Sequence, residues 1–100
     1  MSKTLILIPS RLAAKRLPGK PLLKINGKSI IYHVYKRALE SGIGKVFVAT
    51  GDKKIFKEII QNGGKCILTK LNHKSGTDRI YEALKKIKIK NIKYVLNIQG

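Results

Sequence analysis

Four short apolar runs are separated by stretches whose apolar residues recur at helical spacing. The runs fall at residues 5–9, 46–50, 66–69 and 94–99. Each is rich in Ile, Val or Leu, the pattern of strands buried on both faces of a sheet. A first helix is predicted over residues 29–41: Ser29 is a fair N-cap, Ile30, Ile31, Val34 and Ala38 share one face, and Gly42 stops it. A second helix starts at Asp52, buries Ile55, Phe56, Ile59 and Ile60, and ends at Gly63. A third buries Ile80, Ala83, Leu84 and Ile87, and Ser75-Gly-Thr-Asp78 ahead of it fits a capping box. Strands alternating with helices imply right-handed crossovers and a mostly parallel sheet flanked by helices, an α/β fold. No repeat, low-complexity segment or linker divides residues 1–100.

Two connections are long for their kind. Loops from strand to helix commonly take about 2–6 residues, whereas the first here runs from Ser10 to about Lys28 and the third from Lys70 to about Gly76. Both leave the carboxyl ends of strands, so both are expected on the edge where α/β proteins bind ligands. The first loop reads Ser10-Arg-Leu-Ala-Ala-Lys-Arg-Leu-Pro-Gly-Lys-Pro, with four cations (Arg11, Lys15, Arg16, Lys20) and no acidic residue before Glu40. Backbone N–H groups leaving a strand can line an anion-binding concavity. Arg11 and Arg16 can fork onto phosphate oxygens, and Lys20 supplies a point charge. Pro9, Pro18 and Pro21 stiffen the path and lower the ordering cost of binding. The competing reading is a solvated basic loop with no special role.

Composition adds a question rather than an answer. The chain has 100 residues, 43% of them apolar, which suits one globular domain, and a net charge of +17. A polyanion such as nucleic acid is one reading of that charge. The basic residues are 18 Lys and 4 Arg, spread along the chain beside 15 Ile, which reads better as solvated surface lysine. Aromatic residues are not interleaved with a basic cluster, as a base-stacking platform requires. Nucleic acid and membrane are therefore not expected partners. The single Cys66 precludes an internal disulfide and reads as a small buried hydrophobe. The start of the chain is too short in apolar residues for a signal peptide, no run has membrane-spanning length, and a cytoplasmic protein is expected.

The standard phosphate signatures fail. Gly19-Lys20 is followed by Pro21, and position 14 is Ala, which excludes a Walker A loop; Gly42-Ile-Gly44 meets Phe47 where a dinucleotide fingerprint needs glycine. What is present, in order, is Ile-Pro-Ser10-Arg11, Arg16-Leu-Pro-Gly-Lys20-Pro-Leu, Asn26-Gly-Lys28, Val48-Ala-Thr50, His73-Lys-Ser75-Gly-Thr-Asp78-Arg79 and Asn97-Ile-Gln-Gly100. Together these resemble the 3-deoxy-manno-octulosonate (Kdo) cytidylyltransferases, from about Leu5 to Gly100. The sister acylneuraminate cytidylyltransferases have a glycine-rich, lysine-containing first loop instead.

The resemblance implies a Rossmann-like nucleotidyltransferase fold, with residues 1–100 as the nucleotide-binding front part of one domain that continues past the fourth strand. It implies transfer of CMP from CTP to Kdo, releasing pyrophosphate, for lipopolysaccharide synthesis. Pro9, Ser10, Arg11, Leu12, Ala13, Ala14, Lys15, Arg16 and Lys20 would wrap the CTP phosphates, with Arg11 and Lys20 as the catalytic cations. Ser75 and Gly76 would border the cytosine pocket, and Arg79 and Gln99 would lie near the sugar acid or the nucleotide. Magnesium and a homodimer of the full-length protein are also implied. A related sugar nucleotidyltransferase and a non-catalytic basic module are the alternatives.

Several positions depart from the family. Ala14-Lys15 stands where Ser-Thr is usual, and Gly51 stands between Ala-Thr50 and Asp52. The family continues Gln-Gly with Asp-Glu-Pro, whose Asp holds magnesium, so metal ligands are expected beyond residue 100 and none within it. The isolated chain is accordingly expected to turn over little CTP. Of the five carboxylates, Glu40, Asp52, Glu58 and Glu82 are read as having ordinary helix roles, Asp52 as a cap. Asp78 alone falls in a candidate site, where it reads as part of the capping box. His33 has no partner at metal spacing, and His73 reads as a surface residue. Tyr32, Tyr35, Tyr81 and Tyr94 are expected at the edges of the core. Ser10 has no adjacent His–acid pair that would make it a nucleophile.

Overall fold

The computed structural model describes residues 4–12, 19–71, 76–88 and 92–98. In chain order the elements are β1 (Thr4–Ser10), a 3-10 turn (Lys20–Leu22), β2 (Lys24–Ile25), β3 (Lys28–Ser29), α1 (Ile30–Glu40), β4 (Lys45–Thr50), α2 (Lys53–Gln61), β5 (Cys66–Leu68), α3 (Gly76–Lys86) and β6 (Tyr94–Asn97). The unbroken apolar run of β1 makes it a central strand, buried from Leu5 onward. On one side it pairs in parallel with β4, placing Ser10 opposite Thr50. On the other it pairs in parallel with β6, placing Leu7 opposite Asn97. β5 lies outside β4, also parallel, so the sheet order is β5-β4-β1-β6.

Alternation along β1 divides the core in two. Ile6 and Ile8 face α1 and α2, joining Val46, Val48, Cys66, Ile31, Tyr35, Ile55 and Ile59. Leu5 and Leu7 face the opposite way, joining Ala49, Ile80 and Ala83 under α3. The helix faces follow from right-handed crossovers: β1 to β4 to β5 steps one way under α1 and α2, and α3 then returns across the other face to place β6 beyond β1. Among these four strands the order reverses between β1 and β6. That reversal is the topological switch point of a Rossmann-like sheet, where a crevice opens at the carboxyl ends of the strands.

The α/β expectation holds, with local differences. The stretch read as loop before α1 contains the 3-10 turn and a two-stranded hairpin, β2–β3. Asn26 (φ 53°) and Gly27 (φ 81°) both take positive φ at its tip, the conformation a two-residue hairpin turn requires. His33 holds the hairpin to α1, its Nε2–H donating to the Ile25 carbonyl at 2.7 Å. Ser29 caps α1 as expected, accepting the Tyr32 N–H at 3.2 Å. The apolar face of α1 centres on Ile31, Tyr35 and Ala38, leaving Ile30 and Val34 half-buried.

Ile60 is exposed, because Ile55 and Ile59, one turn apart, already fill the side of α2 against the sheet. Tyr35 is buried, whereas Tyr81 and Tyr94 are exposed. β6 departs most from expectation: among the described strands it lies at the edge of the sheet, paired with β1 alone, and all four of its residues are exposed.

Candidate functional site

The segments leaving the carboxyl ends of β1 and β4 meet at one residue. Leu12, two positions past β1, uses both of its backbone polar groups. Its N–H donates to Asp52 Oδ2 at 3.0 Å, and its carbonyl accepts the Gly19 N–H at 2.8 Å. The second bond closes the base of the loop spanning residues 13–18, and Gly19 reaches it with φ 79°. The Leu12 side chain packs against the core beneath α1 and α2. The cations on either side of this closure, Arg11 and Lys20, are both exposed. The basic first loop is thus tied at its base, with one exposed cation on each side of the tie. Ala13, Ala14, Lys15 and Arg16 lie outside the described residues.

Asp52 requires a correction. It occupies the N-cap position of α2, yet its side chain makes no cap hydrogen bond; the carboxylate is turned to the first loop. Its own N–H donates to Thr50 Oγ1 at 3.1 Å, which fixes the turn out of β4. Preceding it, Gly51 touches the third loop. A Cβ built on Gly51 would stand 2.5 Å from Leu71 Cα and 2.7 Å from the Lys70 carbonyl oxygen. The turn after β4 is therefore wedged between the first and third loops, and those loops share one edge as expected.

The third loop is held from below. Arg79, in α3, is buried and donates to Thr69 Oγ1, to the Lys70 carbonyl at 2.8 Å and to the Leu71 carbonyl at 3.3 Å. Burial lowers the pKa of its guanidinium; the charges of Asp52 and Glu82 act to raise it, and Arg11 acts to lower it. The Glu82 carboxylate accepts the Lys70 N–H at 3.0 Å, and the Thr69 N–H reaches back to the Thr50 carbonyl at 2.8 Å. Arg79 thus lies close enough to Asp52 and Arg11 to sense their charge, but it binds backbone and Thr69 rather than presenting a free cation.

The remaining expected residues divide. Pro9 and Ser10 close β1, both buried, and the Ser10 hydroxyl has no hydrogen-bond partner among the described residues. Gly76 opens α3, while Ser75, His73 and Gln99 lie outside the described residues, and with Ser75 the capping box. Asp78 is exposed in the first turn of α3 and lines a cleft of about 320 Å³ with Lys70, Tyr81, Glu82 and Lys85, none of them from the first loop. Cys66 is buried, and desolvation pushes its pKa up to about 12, which leaves it an inert thiol. Among the described residues no three His, Cys, Asp or Glu side chains converge as a metal site would need. No helix among them is long and apolar enough to cross a membrane.

Sequence reasoning noted Gly51 only as a departure from the family pattern and Asp52 only as a helix cap. Their one usable signal is position, since they follow β4, the strand adjacent to β1, at the carboxyl edge.

Comparison with known proteins accounts for this arrangement. The profile of the cytidylyltransferase family matches residues 5–100. A 3-deoxy-manno-octulosonate cytidylyltransferase of Rhodopseudomonas palustris (strain BisB5) is 50% identical over 98 residues, covering 97% of this chain and 40% of that protein. One from Escherichia coli is 46% identical over 101 residues, covering 100% of this chain and 40% of that protein. The solved structure of a CMP:2-keto-3-deoxy-manno-octonic acid synthetase complexed with CTP superposes with a TM-score of 0.88 at 46% identity, covering 99% of this chain and 40% of that one. The chain thus spans about 40% of the length of the relatives it matches. With the sheet order, the basic first loop at the switch point and the family match in agreement, the chain belongs to the cytidylyltransferase family.

Proposed function

We propose that this chain is the CTP-binding front part of a 3-deoxy-manno-octulosonate cytidylyltransferase. In the complete enzyme a Kdo hydroxyl oxygen forms a bond to the α-phosphorus of CTP. The bond from that phosphorus to the bridging oxygen breaks, pyrophosphate leaves with its electron pair, and the hydroxyl proton passes to solvent. Arg11 and Lys20 hold the triphosphate and offset the charge that develops as pyrophosphate departs. One observation carries the reading: the bond between Leu12 and Gly19 sets these two exposed cations on the two arms of a closed loop beside the β1–β6 switch point. The relative that superposes on the chain is a synthetase complexed with CTP, which supports CTP as the ligand. Bound magnesium would neutralise triphosphate charge, and this reading takes its protein ligands to lie outside residues 1–100. The same reading takes the full-length protein as a cytoplasmic homodimer serving lipopolysaccharide synthesis.

Limited trypsin digestion tests the proposal. CTP is expected to slow cleavage after Lys15 and Arg16 more than GTP or UTP does, and the protection should survive about 0.3 M salt. Nonspecific binding of polyanions falls steeply over that range. Equal protection by any polyanion, lost on adding salt, would instead identify a basic polyanion-binding module. Incubated alone with CTP, Kdo and magnesium, the chain is expected to release little pyrophosphate, and robust release would overturn its assignment as an incomplete catalytic unit.

A further inference from the structure

An aspartate at the first position before a helix normally spends its carboxylate on that helix's own free N–H groups, and removing such a cap costs about 1 kcal/mol. Asp52 holds that position at α2 and makes no cap bond. Its carboxylate instead accepts the N–H of Leu12, forty positions earlier in the chain. Polar side chains that forgo a local bond for a distant one concentrate where function sets geometry.

What Asp52 grips is the residue whose carbonyl also closes the loop base onto Gly19. Its own position is doubly set. The Thr50 hydroxyl accepts its N–H, and Gly51 is packed against Lys70 and Leu71, whose carbonyls Arg79 holds from below. A chain of contacts therefore runs from α3 through Arg79, the third loop, Gly51 and Asp52 to the first residue of the clasp.

We propose that Asp52 is a positioning residue for nucleotide binding: it holds Leu12, and through Leu12 the arms bearing Arg11 and Lys20, in the spacing that receives the phosphates. This rests on the CTP reading above. Asp52 touches no substrate; it acts by removing freedom from a loop that would otherwise have to be ordered at the moment of binding.

Two variants and two readouts test it on the whole chain. In Asp52→Ala, amide hydrogen exchange at Leu12 is expected to speed by about tenfold or more, and CTP affinity to fall by about tenfold, the scale of one charge-assisted hydrogen bond. Asp52→Asn keeps a carbonyl oxygen for the Leu12 N–H and is expected to stay within about threefold of the parent in both. Rescue by Asn separates positioning from charge. An Asp52→Ala chain with unchanged Leu12 exchange and unchanged CTP affinity overturns the proposal, as does an Asn variant as impaired as Ala. If the parent chain does not bind CTP, the nucleotide reading falls by itself, and faster Leu12 exchange in Asp52→Ala would still demonstrate the clasp.

Discussion

Replacing Gly51 by alanine adds one methyl group where the turn after β4 meets the backbone of the third loop. The new Cβ would lie 2.5 Å from Leu71 Cα, 2.7 Å from the Lys70 oxygen and 2.8 Å from the Leu71 nitrogen. Carbon contacts settle near about 3.5–4.0 Å, so the third loop must retreat by roughly 1 Å. All three obstructing atoms are backbone, so no rotamer change relieves the overlap. Retreat is resisted by Arg79, which bonds the Lys70 and Leu71 carbonyls, and by Glu82, which accepts the Lys70 N–H. Overpacking of this kind costs about 1–3 kcal/mol. Loosening one bond to a buried guanidinium adds about 1 kcal/mol or more. A total of about 2–4 kcal/mol is a large share of a small domain's stability.

Urea unfolding followed by far-ultraviolet circular dichroism reads this directly. With a slope of about 1–3 kcal/mol per molar, the midpoint should drop by roughly 1–2 M while the slope stays unchanged. Gly64→Ala is the comparison: its Cβ would meet the Ile59 Cγ2 at 2.7 Å, the Tyr35 ring at 3.0 Å and the Ile59 carbonyl oxygen at 3.2 Å, shallower overlaps than the three backbone ones at Gly51, and a smaller loss is expected. A Gly51→Ala chain within about 0.5 kcal/mol of the parent would refute the wedge, since it would show that the third loop moves freely.

Ser10→Ala removes a buried hydroxyl with no hydrogen-bond partner among the described residues, so thermal unfolding should show no loss and a gain of up to about 1 kcal/mol; a clear loss would reveal a partner at the end of β1. Cys66 supplies a pH test: burial raises its pKa from 9.0 to about 12, so the folded state keeps a proton that the unfolded state releases. Its contribution should be constant below pH 9 and decline as pH rises from 9 towards 12, a decline missing from Cys66→Ala in paired urea titrations; identical pH curves would show the thiol to be solvated.

How much of this was readable from the residues depends on the range of the interaction concerned. Ile6, Ile8, Val46 and Val48 announce buried strands because every residue in such a run meets a neighbour, and Ser29 announces a helix start because its partner is three residues away. The basic loop stands out as a candidate site because its charge is concentrated within a few positions. The β2–β3 hairpin was not, since strands of two residues carry no periodicity and only Asn26-Gly27 marks the turn. Asp52 was misjudged for a deeper reason. An aspartate that caps its helix and one that grips a distant loop look alike in one dimension. Burial and tertiary partners separate them, and both belong to the fold rather than to the local string.

The placement of β1 also bears on how the molecule is made. β1 is paired on both edges, and its two partners lie at very different distances along the chain: Leu5 meets Lys45, whereas Thr4 meets Tyr94. Pairing with β4 closes a short path through α1 and can form while synthesis proceeds. Pairing with β6 closes a far longer one and is expected to come late. Until Tyr94–Asn97 docks, one edge of β1 is open and the β1–β6 wall of the crevice is missing. Nascent chains are therefore expected to gain competence for nucleotide only after most of the core has set, while the unpaired edge of β1 is the surface a chaperone must shield.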